Sequence, residues 1–175
     1  MMNKIILCIL LFLLVSACNH ALKQPEKFER YKQSRDADFL LGKTVKGIDS
    51  ILSVKCKDNY IVYIFNSNDC GSCVDEGFSL LKKLTALYTN RVYAITPSLD
   101  NPAFLQKNYG YYEYIYRDNN DMIRRELKYI PTPVFLLLDN TNKILNIHFP
   151  ESQKTEYNQE FMKICAERIN FSTKD

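Results

Sequence analysis

Apolar runs of two kinds divide the chain. Residues 60–66 and 134–138 are short, almost continuous apolar runs rich in β-branched and aromatic side chains, which is typical of strands buried on both faces of a sheet. Residues 73–88 and 155–169 instead repeat apolar side chains every three or four positions, which predicts helices with one buried side. Strands and helices of this kind in one chain indicate the α/β class.

The segments between these runs complete the predicted order of elements. Further strands are predicted at 44–48, 91–95, 112–116 and 144–149, and further helices at 28–41, 49–55, 101–108 and 118–128. A strand, a helix and a second strand joined by short connections form a right-handed βαβ unit. A βαβ half followed by a ββα half predicts a mixed central β-sheet flanked by helices on both faces.

Three tyrosines alternate along one of the predicted strands. Tyr112, Tyr114 and Tyr116 would share one face of a strand at 112–116, because strand side chains alternate between faces. Tyrosine is a good strand former that packs well against a helix. We therefore expect this face to pack in the interior, in preference to forming a recognition surface.

The N-terminus carries a secretion pattern. Lys4 precedes an unbroken apolar run at residues 5–15, which is too short to span a bilayer. The following Val15-Ser16-Ala17-Cys18 resembles a bacterial lipobox, which implies that Cys18 becomes the acylated N-terminus; a plain signal peptide or an uncleaved anchor are the alternatives. We expect a signal peptide at 1–17, lipidated Cys18 with a tether and leading helix at 18–40, and one folded domain at 41–171. Lipid chains would hold the protein in a membrane of the cell envelope, facing the periplasm or the cell exterior.

Charge and cysteine content narrow the function. The 23 basic and 20 acidic residues nearly balance and form no basic stripe, so we expect no nucleic-acid partner. An exported chain meets an oxidising compartment, and the spacing of Cys70 and Cys73 favours a bond between them. Cys56 and Cys165 are interpreted as small core residues, although a bond between these two stays open.

Three motifs together identify a family. They are Cys70-Gly71-Ser72-Cys73 at a strand-to-helix junction, Ile130-Pro131-Thr132 before a strand, and the "PVFLLLDNTNKIL" hairpin at 133–145. Between residues 41 and 169 the chain resembles the thioredoxin fold, and most closely the membrane-tethered TlpA/ResA-like branch of extracytoplasmic thiol–disulfide oxidoreductases. The resemblance implies an enzyme, more specifically a reductase, that needs no cofactor or metal. Its partners would be a disulfide-containing client protein and a membrane redox donor.

The same resemblance assigns a role to the prolyl loop. It implies that Pro131 is a cis proline facing the dithiol, and that the backbone of Ile130 lies beside Cys70, where a substrate strand could pair with it. A trans proline that ends the preceding helix is the alternative. Pro133 is the less favoured cis position, since it lies where the next strand starts.

Two acidic residues flank the predicted site. Glu76 matches an acidic residue of this branch, and its spacing of three from Cys73 allows the carboxylate to exchange a proton with that thiol; a solvated helix glutamate is the alternative. Asp69 replaces an aromatic residue of the family at the substrate-binding edge, and its charge should disfavour a Cys70 thiolate. Ile64 replaces the buried Asp of thioredoxins.

The position of the two cysteines assigns their chemistry. Unpaired N–H groups and the dipole at a helix start favour an anion, so Cys70 is the predicted nucleophile and Cys73 the resolving thiol. A zinc site would need about four ligands, and a copper site of the related type would need three residues between the cysteines. His148 is interpreted as an ordinary strand residue. A non-catalytic binding lipoprotein, in which the Cys70–Cys73 bond is merely structural, remains the alternative function.

Overall fold

The computed structural model describes residues 37–97 and 101–171. The predicted signal peptide, Cys18 and the tether as far as residue 36 lie outside the described residues and stay predictions. Leu40–Asp175 forms one compact unit, which contains the strands and helices named below.

The described residues form five strands and five helices. In chain order they are α1 (Ile48–Leu52), β1 (Tyr60–Ile64), α2 (Gly71–Leu87), β2 (Val92–Thr96), α3 (Pro102–Tyr109), β3 (Ile115–Arg117), α4 (Met122–Glu126), β4 (Val134–Leu138), β5 (Ile144–His148) and α5 (Thr155–Phe171), and a 3-10 turn at Asp38–Leu40 precedes them. The predicted strand at 44–48 is reduced to an isolated bridge between Thr44 and Lys143.

One mixed sheet organises these elements, in the order β3-β2-β1-β4-β5. β2 is parallel to both β1 and β3, whereas β4 is antiparallel to both β1 and β5. The predicted βαβ half and ββα half are therefore confirmed, with β1 at the centre. All five residues of β1 and of β4 are buried, as their continuous apolar runs predicted.

Hydrophobic cores cover both faces of the sheet. The first core takes its buried helix residues mainly from α2 and α5: Val74, Phe78, Leu80, Leu81, Leu84, Phe161, Cys165 and Ile169. The second core takes them from α1 and α4 with the residues just after α4: Ile48, Leu52, Ile123, Leu127 and Ile130. The predicted arrangement of helices on both faces is confirmed.

The helix predicted at 118–128 is shorter in the structure. Its start is delayed because the buried carboxylate of Asp118 accepts hydrogen bonds from the backbone N–H groups of Met122 and Ile123, at 2.8 and 2.9 Å. This is how a side chain satisfies the free N–H groups of a first helical turn. Asp118 therefore precedes α4 and caps it.

The tyrosine face predicted at 112–116 is wrong in two of its three positions. Tyr112 and Tyr114 are 80% and 68% exposed, and β3 begins only at Ile115. Tyr111 is buried in their place, in the first core, where its ring lies 5.8 Å from that of Phe78. Tyr116 is half-buried against the second core.

Gly77 lets α2 approach the sheet closely. A methyl group at this position would lie 2.6 Å from Cζ of Tyr63 and closer still to its hydroxyl. Tyr63 is fully buried, and its ring stacks on Phe135 of β4 with 4.4 Å between centroids. Because Gly77 has no side chain, α2 can pack directly against Tyr63 of β1, one helical turn after Cys73.

Candidate active site

The cysteine pair lies at the end of the connection from β1 to α2. Cys70 is exposed, directly precedes the helix, and is bonded to the half-buried Cys73, with 5.2 Å between their Cα atoms. The Cys70 carbonyl accepts from the N–H groups of Cys73 and Val74, at 3.0 and 2.9 Å. The helix therefore begins two residues before the predicted position 73, with Cys70 directly before its first turn and Cys73 within it.

The start of α2 favours a negative charge on the sulfur of Cys70. The first turn of α2 contains no acidic residue, and the free N–H groups and dipole of a helix start attract anions. The Ser72 hydroxyl lies 3.4 Å from the Cys70 sulfur. Once the disulfide is reduced, this hydroxyl can donate to the Cys70 thiolate, a contact that sequence reasoning did not assign.

Asp69 joins two loops. One carboxylate oxygen accepts the backbone N–H of Asn66 at 2.7 Å, and the other accepts the hydroxyl of Thr132 at 2.9 Å. The Asp69 N–H returns a bond to the Asn66 carbonyl at 3.0 Å. This carboxylate holds the loop of the cysteine pair against the loop before β4. Its expected effect on a Cys70 thiolate stays a prediction.

The cis proline is Pro133, so the prediction of a cis Pro131 is wrong. The cis bond joins Thr132 to Pro133, and β4 begins at the next residue. Pro133 is buried whereas Pro131 is exposed. The start of the strand, which counted against Pro133 in the sequence, is where the structure places the cis bond.

Ile130 makes contacts other than those predicted for it. Its side chain is buried in the second core, and its carbonyl accepts a hydrogen bond from the Arg124 side chain at 3.2 Å. Thr132, which precedes the cis bond, makes the contact with Asp69. The structure therefore gives Thr132 the place beside the cysteine loop that the sequence assigned to Ile130.

Glu76 has a buried partner. It is half-buried, and the side-chain amide of Asn158 on α5 donates to its Oε1. Cys73 and Glu76 are three residues apart on α2, so their side chains leave the same side of the helix. Glu76 is therefore not a solvated helix glutamate, and its proton exchange with Cys73 stays a prediction.

His148 continues the polar contacts from Asn158. Its Nε2 lies 2.7 Å from Asn158 Oδ1, and both residues are buried. Burial lowers the pKa of His148 below its usual 6.5, while the Asn158 hydrogen bond opposes the shift. Sequence reasoning treated His148 as an ordinary strand residue and did not single out Asn158; an Asn three positions before the buried Phe161 was the available signal.

The other two cysteines within the described residues are free thiols, Cys56 and Cys165. Cys56 packs against the second core and Cys165 lies in the first, so the sheet separates them and they do not pair. Burial raises the pKa of Cys165 to about 12 and raises that of Cys56 above its usual value. Both groups are therefore thiols at neutral pH, which confirms the expected core role of Cys165.

Residues 37–97 and 101–171 contain neither a metal-ligand cluster nor a membrane-spanning helix. No three His, Cys, Asp or Glu side chains of this part are grouped so that they could hold a metal ion. None of its helices is long and apolar enough to cross a membrane.

Solved structures with the same fold include redox proteins. A protein provisionally named thiol:disulfide interchange protein DsbE from Chlorobium tepidum is 17% identical, with a TM-score of 0.52 over 66% of this chain and 83% of that one. A hypothetical protein from Sinorhizobium meliloti is 16% identical, with a TM-score of 0.52 over 67% and 73%. A cysteine-to-serine mutant of peroxiredoxin Q from Xanthomonas campestris is 11% identical, with a TM-score of 0.51 over 66% and 83%.

The sequence itself gives no closer relationship. No protein-family model matches the chain, and no curated protein matches it. At the identities of the structural matches, the likeness shows the fold alone. With its mixed five-stranded sheet between two helical layers, the chain has a thioredoxin-like fold.

Proposed function

We propose that the protein is a thiol–disulfide oxidoreductase that is anchored by lipid outside the cytoplasmic membrane and acts as a reductase. The observation that carries the proposal is the bond between exposed Cys70 and half-buried Cys73 in the first turn of α2. A thiol–disulfide exchange centre needs one accessible sulfur and a second within bonding reach. The fold shared with a protein named for disulfide interchange supports the proposal.

The reaction starts from the reduced dithiol. The Cys70 thiolate attacks one sulfur of a client disulfide, so that a bond forms between Cys70 and the client, and the second client sulfur leaves as a thiolate and takes a proton. Cys73 gives its proton to Glu76 and attacks the Cys70 sulfur. This forms the Cys70–Cys73 bond and releases the first client sulfur, which takes a proton in turn. Two electrons have then passed from the protein to the client.

Turnover requires a source of electrons. The oxidised pair is the form in the structure, and a dithiol on a membrane redox donor would reduce it again by the reverse exchange. The expected lipid on Cys18 would keep the protein close to such a donor. Incorporation of labelled palmitate tests this anchor: it should be lost in a Cys18→Ala variant and kept in Cys8→Ala, and labelling of neither wild type nor control would refute it.

Catalysed reduction of a disulfide-bonded peptide, with dithiothreitol as electron source, tests the activity. Wild type should accelerate the reduction, whereas Cys70→Ala should give the uncatalysed rate. Cys165→Ala is the matched control, because this thiol is buried far along α5 and should leave the rate unchanged. A wild-type rate equal to the uncatalysed rate would favour the alternative of a binding module with a structural disulfide.

The direction of electron flow needs its own measurement. Equilibration of the folded protein with reduced and oxidised dithiothreitol gives the fraction of Cys70–Cys73 that is oxidised at each ratio, and hence the reduction potential. A reductase should stay largely oxidised in reduced glutathione and should need dithiothreitol to become reduced. A pair that is reduced by glutathione alone would instead indicate an oxidase or isomerase.

A further inference from the structure

A chain of three hydrogen-bonded polar side chains reaches the helix that begins at the cysteine pair. It starts at His148, the last residue of β5, passes through Asn158 on α5 and ends at Glu76 on α2. His148 and Asn158 are only 9% and 7% exposed. Buried polar groups are costly unless their hydrogen bonds are made, and here each group has its partner.

The chemistry of the amide fixes the direction of this chain. A carboxylate only accepts hydrogen bonds, so the Asn158 nitrogen must face Glu76 and the Asn158 oxygen must face His148. The oxygen accepts, so His148 carries a hydrogen on Nε2. The His148 ring is held between aromatic residues: it stacks on Phe161 with 5.0 Å between centroids and lies 6.1 Å from Phe135.

Ionisable residues lie near the three hydrogen-bonded side chains. Cys73 and the exposed Asp75 share α2 with Glu76, and Glu151, between β5 and α5, acts electrostatically on His148. Burial keeps the His148 ring neutral near neutral pH. The donor that reaches Glu76 is therefore an uncharged amide whose orientation a neutral ring sets.

We propose that His148 and Asn158 are positioning residues that hold Glu76 towards Cys73 and set the pH at which Glu76 can take the Cys73 proton. This inference rests on the proposed exchange reaction and concerns its second half. The Asn158 amide occupies one carboxylate oxygen, and the other oxygen accepts the proton as the Cys73 thiolate forms and attacks the Cys70 sulfur. His148 prevents the amide from turning its oxygen towards the carboxylate, where two acceptors would repel.

The resolving step can be timed directly with Ellman's reagent. Cys70 attacks the reagent and releases one coloured thiolate, which leaves a mixed disulfide on Cys70. Cys73 then attacks Cys70 and releases the second coloured thiolate, at a rate that does not depend on reagent concentration. This second rate should rise with pH to a plateau, and Glu76→Gln should remove the part of the rise that depends on the carboxylate and leave the part that follows ionisation of the Cys73 thiol itself.

Asn158→Leu removes the donor to the carboxylate at similar side-chain size. Because the variant loses a hydrogen bond to the ionised carboxylate, the midpoint of the rise should move to higher pH. His148→Phe keeps the stacked ring, removes the Nε2 hydrogen and should move the midpoint in the same direction. His148→Gln supplies an amide N–H at a similar place and should restore it.

The three variants separate positioning from simple structural support. A merely structural role would lower the melting temperature and slow the second phase equally at every pH, with an unmoved midpoint, and that result would overturn the inference. Equal profiles for His148→Phe and His148→Gln would also overturn it. If Asn158→Leu does not fold, His148→Phe carries the same test. A wild type without any second phase would refute the proposed function itself, and the inference with it.

Discussion

The hydroxyl of Thr132 donates to the carboxylate of Asp69 over 2.9 Å. This bond links the residue before the cis proline to the residue before Cys70, which lie 63 positions apart in the chain. The two loops that define the candidate site are thus joined by side chains as well as by the pairing of β1 with β4.

Removal of this link should loosen the site without unfolding the protein. Thr132→Val deletes the donor and keeps the shape of the side chain, and should lower the free energy of unfolding by about 1 kcal/mol. Denaturation in urea measures the change. Thr132→Ser is the control, since it keeps the hydroxyl and loses only the methyl group, and it should retain the bond to Asp69; a Thr132→Val variant as stable as the wild type would contradict the prediction.

Gly77 should tolerate no side chain. Gly77→Ala places a methyl group against the buried ring of Tyr63 and should cost about 1–3 kcal/mol of stability. Tyr63→Phe removes the nearest atom, so the double variant should recover part of the loss. Gly71→Ala is the matched control on the same helix, because a methyl group there has no neighbour within 4 Å; an equal loss at both positions would point to the backbone instead.

The free energy of unfolding should decrease as the pH is lowered, because of His148. Burial depresses the folded-state pKa of His148 below its usual 6.5, so the unfolded chain binds the proton first as the pH is lowered. Stability should therefore decrease below about pH 6.5, by at most ~1.4 kcal/mol per pH unit, until the folded state is protonated too. His148→Phe should flatten this part of the profile, and a His20→Gln control should leave it unchanged; a wild-type profile that is flat from pH 7 to 5 would contradict the prediction.

Reactivity towards iodoacetamide after reduction should differ strongly among Cys70, Cys73 and Cys165. Iodoacetamide at neutral pH should modify Cys70 first and Cys73 next, and Cys165 only after unfolding, because burial raises the Cys165 pKa to about 12. Peptide mapping by mass spectrometry follows each site. Rapid native modification of Cys165 would show that the first core opens on the timescale of the reaction.

Local sequence patterns were sufficient for the main elements of the fold. The runs that became β1 and β4 are apolar throughout, and a strand buried on both faces needs no knowledge of its neighbours to be recognised. The short joins around α2 then leave few ways to connect the sheet. The Asp118 cap was harder to recognise, because an acidic residue at the start of a helical pattern can lie inside the helix or before it.

The details of the site depend on contacts between distant segments. The predicted start of β4 at residue 134 is correct, but it was interpreted as evidence against a cis Pro133, whereas the structure places the cis bond directly before that start. Asn158 is one of several polar residues on α5, and its role appears only when α2 and β5 pack beside it. Local periodicity carries no information on contacts between distant segments, which is why Asn158 was not predicted as the hydrogen-bond partner of Glu76.

Capture of a mixed disulfide on Cys73→Ala tests the central claim most directly. The reduced variant is incubated with a disulfide-bonded peptide, and its intact mass and labelled site are determined. Attack by Cys70 without a resolving thiol should give a stable adduct of one peptide chain on Cys70, which the wild type does not accumulate. A variant that remains unmodified, or that carries the adduct on Cys56, would contradict the account.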